Sequence, residues 1–259
     1  MQNKMRAIEL FAGIGGFRLA CDKLGIETIW ANDISPKSSK VYKARFGADK
    51  FYEGDISDYM SDIPDHEILT GGFPCQPFSS AGKKLGVKDP RGTLFEKITE
   101  VIAQKKPQFF VLENVKRLLS MEKGQHFATI LDVLSSLGYM IEWRLLNAKN
   151  FGLPQNRERI IIVGHKCKEV GSYLCSRDDL AELTKKQISA VSNVNKWKTI
   201  ESHSATFHQW GLAFNGCFYH SNISKFSESL PSVKLNEILE KNPNKAFFFT
   251  DDTLMRIKS

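Results

Sequence analysis

The chain has 259 residues, 42% of them hydrophobic and 25% charged, the balance of a globular protein with room for one large domain and a smaller appendage. A formal charge of +7 and a pI near 9.1 point toward a polyanionic partner without demanding one. The five cysteines (Cys21, Cys75, Cys167, Cys175, Cys217) form no C-x-x-C pair, the histidines lack ligand spacing, and no apolar run spans a bilayer. These features exclude a disulfide scaffold, a zinc module and a helical membrane protein. With no apolar stretch behind the charges of residues 1–6, they predict reduced thiols, a cytoplasmic protein and no metal.

In chain order, residues 6–11 read as a short strand ending in the glycine turn Gly13-Ile14-Gly15-Gly16, and residues 17–24 have helical periodicity. A strand over 27–32 and a helix opened by Pro36 and reaching Phe46 come next. Residues 67–70 lead into a Pro-rich loop around Cys75, and 94–104 form a helix. The unbroken apolar run Phe109-Phe110-Val111-Leu112 is a buried parallel strand. A helix over 127–137 is closed by Gly138, and strands over 139–146 and 159–164 finish the pattern. Alternation of this kind predicts an α/β protein with a doubly wound, mostly parallel sheet. After His165 Ser, Asn and Lys become more frequent and periodicity weakens, so two units are expected, 1–165 and 166–259. In the second, 234–240 suggest a helical turn or two, 246–250 a strand or anchor, and 253–258 a short helix. His203, His208 and His220 read as surface or loop residues.

Several residues in this frame can carry chemistry. The turn at Gly13–Gly16 lies between strand and helix, where glycine lets backbone approach a nucleoside-bearing ligand. Arg18 occupies the third position of a G-x-G-x-x-G and no Walker lysine is present, which disfavours NAD and ATP and leaves an adenosyl ligand without pyrophosphate. A plain tight turn is the competing reading. Asp33, ending the second strand, stands where carboxylates hold ribose hydroxyls, and Asp55 can accept from an adenine amino group; either also serves as a helix cap. Cys75, between Pro74 and Pro77, belongs to a rigid loop at the C-terminal edge of the sheet, whereas most free cysteines are inert core residues. Glu113 closes an apolar strand, a costly place for a carboxylate unless it is paired or protonated. Gln155, Arg157 and Arg159 alternate before a strand, and such a same-side arginine pair grips phosphate, base oxygen or carboxylate, or simply forms a charged strand entry.

Taken in this order, the motifs resemble the cytosine-5 DNA methyltransferase family of bacterial restriction-modification systems. The matching stretches are Phe11-Ala12-Gly13-Ile14-Gly15-Gly16-Phe17-Arg18, Gly72-Phe73-Pro74-Cys75-Gln76-Pro77-Phe78-Ser79, Arg91-Gly92-Thr93-Leu94-Phe95, Glu113-Asn114-Val115 and Gln155-Asn156-Arg157-Glu158-Arg159. The resemblance covers residues 5–164. It implies a catalytic lobe binding S-adenosyl-L-methionine, a small recognition lobe, double-stranded DNA as substrate and a flipped-out cytosine. It also implies that Cys75 adds to C6, Glu113 protonates or hydrogen-bonds N3, Arg159 holds the base oxygen, and Asn114 fixes the loop. The cofactor site it implies comprises Phe11, Gly13, Gly15, Gly16, Asp33, Ile34, Asp55, Ile56, Pro74 and Leu94, with Ile34 standing where many members have an aromatic residue. No Gly-Asn-Ser-Val-like segment, which in the family completes the cofactor pocket, is found in 166–259. A second polypeptide supplying it is therefore expected, a truncated reading frame being the alternative. An RNA-directed member of the family, a free-nucleotide pyrimidine methylase and an inactive DNA-binding subunit are the rival functions.

Overall fold

Strand β1 (Arg6–Leu10) alternates its side chains between two cores: Ala7 packs with Cys21 on one face, and Ile8 and Leu10 with Ile98 and Leu69 on the other. Both faces are therefore covered, as a parallel strand requires. The computed structural model describes residues 4–74, 94–167, 189–191, 193–201, 203–222 and 234. Readings made for the Cys75 loop and for 235–259 lie outside these residues.

Beside β1 run β2 (Glu27–Asp33) and β3 (Phe51–Glu53) on one side and β4 (Ile68–Gly72) and β5 (Phe109–Val115) on the other, all parallel. Helix α1 (Gly16–Lys23) packs through Cys21, and α2 (Pro36–Phe46) through Tyr42, on the Ala7 face. Helices α3 (Leu94–Lys105) and α4 (Gln125–Ser136) cover the Ile8 face, so the sheet is doubly wound. The apolar stripes follow helical spacing: Phe95, Ile98 and Ile102 in α3; Phe127, Ile130, Leu131 and Leu134 in α4. Each such fully buried side chain contributes about 1.5–3 kcal/mol relative to exposure. Local signals set the ends of α2: the Ser35 hydroxyl accepts from Ser38 N–H (3.3 Å), Pro36 takes the first position, and Gly47 stops the helix at φ +86°.

The sheet does not end at the parallel strands. In the order β3-β2-β1-β4-β5-β7-β6-β9-β10-β8 it adds β6 (Tyr139–Asn147), β7 (Glu158–Lys166), β8 (Lys198–Thr199), β9 (Trp210–Phe214) and β10 (Cys217–Ser221). Strand β7 is antiparallel to β5, and β9 is antiparallel to both β6 and β10. Several of the expected strands run longer than read: β2 reaches Asp33, β5 continues through Glu113 to Val115, β6 reaches Asn147, and β7 spans Glu158–Lys166. Strands β8, β9 and β10, from the segment expected to form a second unit, extend this same sheet. By compactness the chain divides into 1–146 with 158–225, and 147–157 with 226–259.

Candidate active site

Five parallel strands end on one edge of the sheet, and strand order reverses between β1 and β4, the position where open α/β sheets form a crevice. Because β7 is antiparallel to β5, its beginning reaches the same edge. The residues singled out in the sequence thus fall along one line: Phe11 and the glycine turn after β1, Asp33 after β2, Asp55 after β3, Phe73-Pro74 after β4, Glu113 in β5, and Arg159 in β7.

The glycine turn is held from two sides. Asp33, nearly buried, accepts Gly13 N–H at 2.7 Å through Oδ2 and Ser35 N–H at 2.8 Å through Oδ1. Its first task is therefore to shape the turn rather than to wait for a ligand. Gly15 has φ +87°, and a Cβ there would collide with the Phe46 ring, so only glycine fits. Nothing lies within 4 Å of a Cβ built on Gly13, which leaves that part of the turn open to a ligand. Phe11 adopts φ +55°, a costly conformation for a non-glycine residue and one that clusters at functional sites. Asn32, fully buried, donates from Nδ2 to the carbonyls of Tyr52 (2.9 Å) and Gly54 (3.0 Å), fixing the exit of β3. Asp55, which follows, is exposed and accepts Ser57 N–H at 2.8 Å; that hydrogen bonding holds its carboxyl below the usual range. Ile34 is 65% exposed, whereas the Ile56 side chain is buried in the core and offers the crevice no side-chain surface.

Sequence reasoning missed Glu9. It is 1% exposed in β1, and its Oε1 accepts Phe17 N–H at 3.2 Å in the first turn of α1, whose N-cap Gly15 has no side chain to offer. Burial pushes this carboxyl up to about 7, against the pull of the Arg18 and Phe17 N–H groups, the Tyr42 phenol and the Arg18 charge. The available signal was an acid inside the otherwise apolar run Ala7-Ile8-Glu9-Leu10.

At the β5–β7 end, the register opposes Glu113 to Ile161 and Val115 to Arg159. Glu113 and Arg159 are then diagonal neighbours on one face. Arg159 Nε meets Glu113 Oε1 at 2.6 Å, and both side chains are about three-quarters covered (25% and 28% exposed). This pairing meets the cost of a carboxylate at an apolar strand end. Arg159 is fixed further by donating from Nη1 to the Glu158 carbonyl at 2.8 Å. Oε2 of Glu113 points toward Gly72 on β4, 3.5 Å from a Cβ built there. Asn114, on the opposite face and fully buried, donates from Nδ2 to the Phe73 carbonyl at 3.0 Å and accepts Val115 N–H at 2.8 Å. One side chain thus ties β5 to the chain two residues before Cys75, which itself lies outside the described residues. Pro74 is exposed beside it, and Leu94 is partly buried at the start of α3.

Of the two arginines expected to share a side, Arg159 lies in β7, which begins at Glu158, and Arg157 precedes the strand. Residues 147–157 form a closed loop of their own: Asn147 donates to Asn156 Oδ1 (2.7 Å) and accepts from Lys149 and Arg157 N–H (3.2 Å each). Gln155 and Arg157 are exposed on it. Among the described residues no group of three His, Cys, Asp or Glu is arranged to hold a metal ion, and no helix is long and apolar enough to cross a membrane.

A crevice at the switch point of a doubly wound sheet, with a glycine turn on one side and a Glu–Arg pair on the other, defines an α/β protein with its candidate site at the C-terminal edge of the parallel strands. Residues 5–245 match the family of C-5 cytosine-specific DNA methylases, and the chain belongs to that family. It is 49% identical over 172 residues to the type II methyltransferase M1.ScrFI of Lactococcus lactis subsp. cremoris, a match covering 66% of this chain and 44% of that protein. To the type II methyltransferase M.HaeII of Haemophilus aegyptius it is 43% identical over 208 residues, covering 72% and 65%. Among solved structures, a mutant Spodoptera frugiperda DNMT2 superposes with TM-score 0.60 at 20% identity, over 98% of this chain and 65% of that one. This last likeness is one of fold. The chain spans about half the length of the curated relatives it matches.

Proposed function

We propose that the chain is the catalytic part of an enzyme that transfers a methyl group from S-adenosyl-L-methionine to C5 of cytosine in double-stranded DNA. The observation that carries the reading is the Glu113–Arg159 pair at 2.6 Å, beside an Asn114 tether that anchors the run-up to Cys75. A cytosine ring set at this edge, flipped from its duplex, would face an acid at N3, a guanidinium at its oxygen and a thiol at C6. Addition of the Cys75 thiolate to C6 breaks the aromaticity and makes C5 nucleophilic; expulsion of that thiolate, after the C5 proton leaves, restores the ring. Arg159 holds the Glu113 carboxyl at one oxygen and leaves the other aimed toward β4, where it would bind N3. The proton that Glu113 shares with N3 makes the ring a better electron sink.

The open Gly13 backbone, the exposed Ile34 surface and the Asp55 carboxylate suit an adenosyl group, with Phe11, Gly15, Gly16, Asp33, Pro74 and Leu94 completing the assigned cradle and Ile56 packed in the core beneath it. S-adenosylmethionine supplies an electrophilic methyl group when bound there. Residues 1–165 are assigned to catalysis. Target recognition is assigned to 166–259 outside β8, β9 and β10, which serve the sheet. Cytoplasmic action within a restriction-modification system follows from the same reading. We propose that a second polypeptide contributes to full activity, since residues 166–259 carry no Gly-Asn-Ser-Val-like segment. The test is transfer of labelled methyl groups, using this chain with the product of the adjacent reading frame, to duplex DNA and to RNA. Label in 5-methylcytosine of DNA supports the proposal, label confined to RNA supports the RNA-directed alternative, and no label in either overturns it.

A further inference from the structure

Beyond the acid and its arginine, a second ion pair closes the same strand ends. Lys116 follows Val115 as Glu158 precedes Arg159, and the lysine Nζ binds both carboxylate oxygens of Glu158, at 2.9 and 3.1 Å. Both groups are wet, with side-chain exposures of 54% and 36%, so the pair adds little to stability. A bidentate, exposed carboxylate–ammonium pair of small net value is a poor brace and an easily exchanged one. Arg117, next in the chain, is also exposed, and Val115 presents apolar surface beside it. Three residues of extended chain separate Lys116 from Glu113, about 10 Å by strand rise. That is the distance over which a nucleotide runs from the edge of its base to its phosphates. By alternation Lys116 and Glu158 stand on the Asn114 face, where the strand ends let a nucleotide pass from one face to the other.

We propose that Lys116 is a phosphate-binding residue for the nucleic-acid strand carrying the target base, and that Glu158 occupies it as an intramolecular stand-in for phosphate until that strand arrives. The inference rests on the nucleic-acid reading given above. On binding, the ammonium exchanges one pair of oxygens for another, and no proton or covalent bond moves. Glu158 keeps its backbone carbonyl on Arg159, so the exchange leaves the acid–arginine pair intact. A lysine suits this task because it acts as a point charge with rotatable donors, whereas a guanidinium would lock to the carboxylate.

Fluorescence anisotropy with a mixed-sequence 30-base-pair duplex, titrated with the whole chain from 50 to 200 mM salt, tests this. Phosphate binding is sequence-independent, so no target site is needed. Lys116→Gln is expected to lower affinity and flatten the slope of log affinity against log salt by about 0.9, its deficit shrinking roughly threefold over that range. Glu158→Gln is expected to do the opposite, raising affinity by freeing Lys116. A merely structural pair predicts the same sign for both substitutions, and Glu158→Gln weakening binding overturns the proposal. An unchanged slope in Lys116→Gln also overturns it. If the unsubstituted chain binds no duplex at any salt, the nucleic-acid reading itself falls, a result distinct from either.

Discussion

The two ends of the sheet are built on different principles. At the parallel end, β1 to β5 place polar side chains at one edge, and these groups are committed chiefly to shaping backbone: Asp33 on Gly13, Glu9 on Phe17, Asn32 on Gly54, Asn114 on Phe73. At the antiparallel end, β6, β9 and β10 are held by interlocked rings. Phe127, Trp143 and Phe207 pack edge to face with centroids 5.0 to 5.7 Å apart, and Phe207 also meets Phe218 at 5.1 Å. On the proposed reading, chemistry is concentrated at the edge of the parallel strands, and bulk packing at the antiparallel end. A lesion in the site residues at the parallel end should therefore fall on activity, and a lesion in the packed rings at the other end on stability alone.

The largest separation is expected between Glu113→Gln and Phe207→Ala. Glu113→Gln should lower the single-turnover methyl-transfer rate by about 10²–10⁴-fold with the thermal midpoint nearly unchanged. Phe207→Ala, emptying a site that is 2% exposed, should cost about 3–5 kcal/mol in urea unfolding while transfer per folded molecule persists. Equal loss of stability in both would break the comparison.

A finer contrast comes from glycines whose absent Cβ makes room for rings. Gly15→Ala forces an alanine into left-handed φ against Phe46 and should cost about 2–4 kcal/mol, together with weaker S-adenosylmethionine binding by calorimetry. Gly211→Ala drives its methyl into the Trp143 ring and should cost about 1–3 kcal/mol with cofactor affinity retained.

The two ends should also differ in the sign of their response to pH. Glu9 has its carboxyl raised by burial from 4.5 to about 7, so the folded state holds its proton more tightly than the unfolded chain. That contribution is fully present below about 4.5 and is lost as pH rises toward 7. Glu9→Gln, which keeps an oxygen acceptor for Phe17 N–H, should raise stability at pH 8 by up to about 3 kcal/mol and leave it unchanged near pH 4. At the other end His220 is pushed down to about 4 by burial, with His208, His203 and Lys198 adding repulsion, and burial lowers His203 as well. Their contribution is present above about 6.5 and is lost as pH falls toward 4. His220→Gln should flatten the acid limb of the Tm–pH curve by a smaller amount, leaving the alkaline limb alone.

The parallel end was legible in the sequence because strand–helix alternation, Pro36 and Gly138 are local signals, and the strands follow from them. That the candidate motifs share one edge was legible for a related reason: residues at the C-terminal ends of parallel strands fall on one edge, so their order along the chain predicts their neighbourhood. At the antiparallel end β6 and β7 were read as strands, but β9 and β10 were not. Trp210 to Ser221 carries His, Ser and Asn among its apolar residues, and it is a sheet only because β6 supplies a partner 68 residues earlier, where Trp210 Nε1 reaches Glu142 at 2.9 Å. For the same reason His220, read as a surface or loop residue, lies in β10, stacked on His208 at 4.1 Å. Glu9 was overlooked because an acid in a strand has no local partner; its partner is the helix that follows.

Covalent capture is the most direct measurement. The chain, with cofactor and any protein partner, is incubated with duplex DNA containing 5-fluorocytosine, whose C5 fluorine blocks the elimination that would free the thiol. A denaturant-resistant protein–DNA adduct is predicted for the natural sequence and for Asn114→Asp at reduced yield, with none for Cys75→Ser. An adduct that survives Cys75→Ser would contradict the account, because a different residue would then be bonding to the ring.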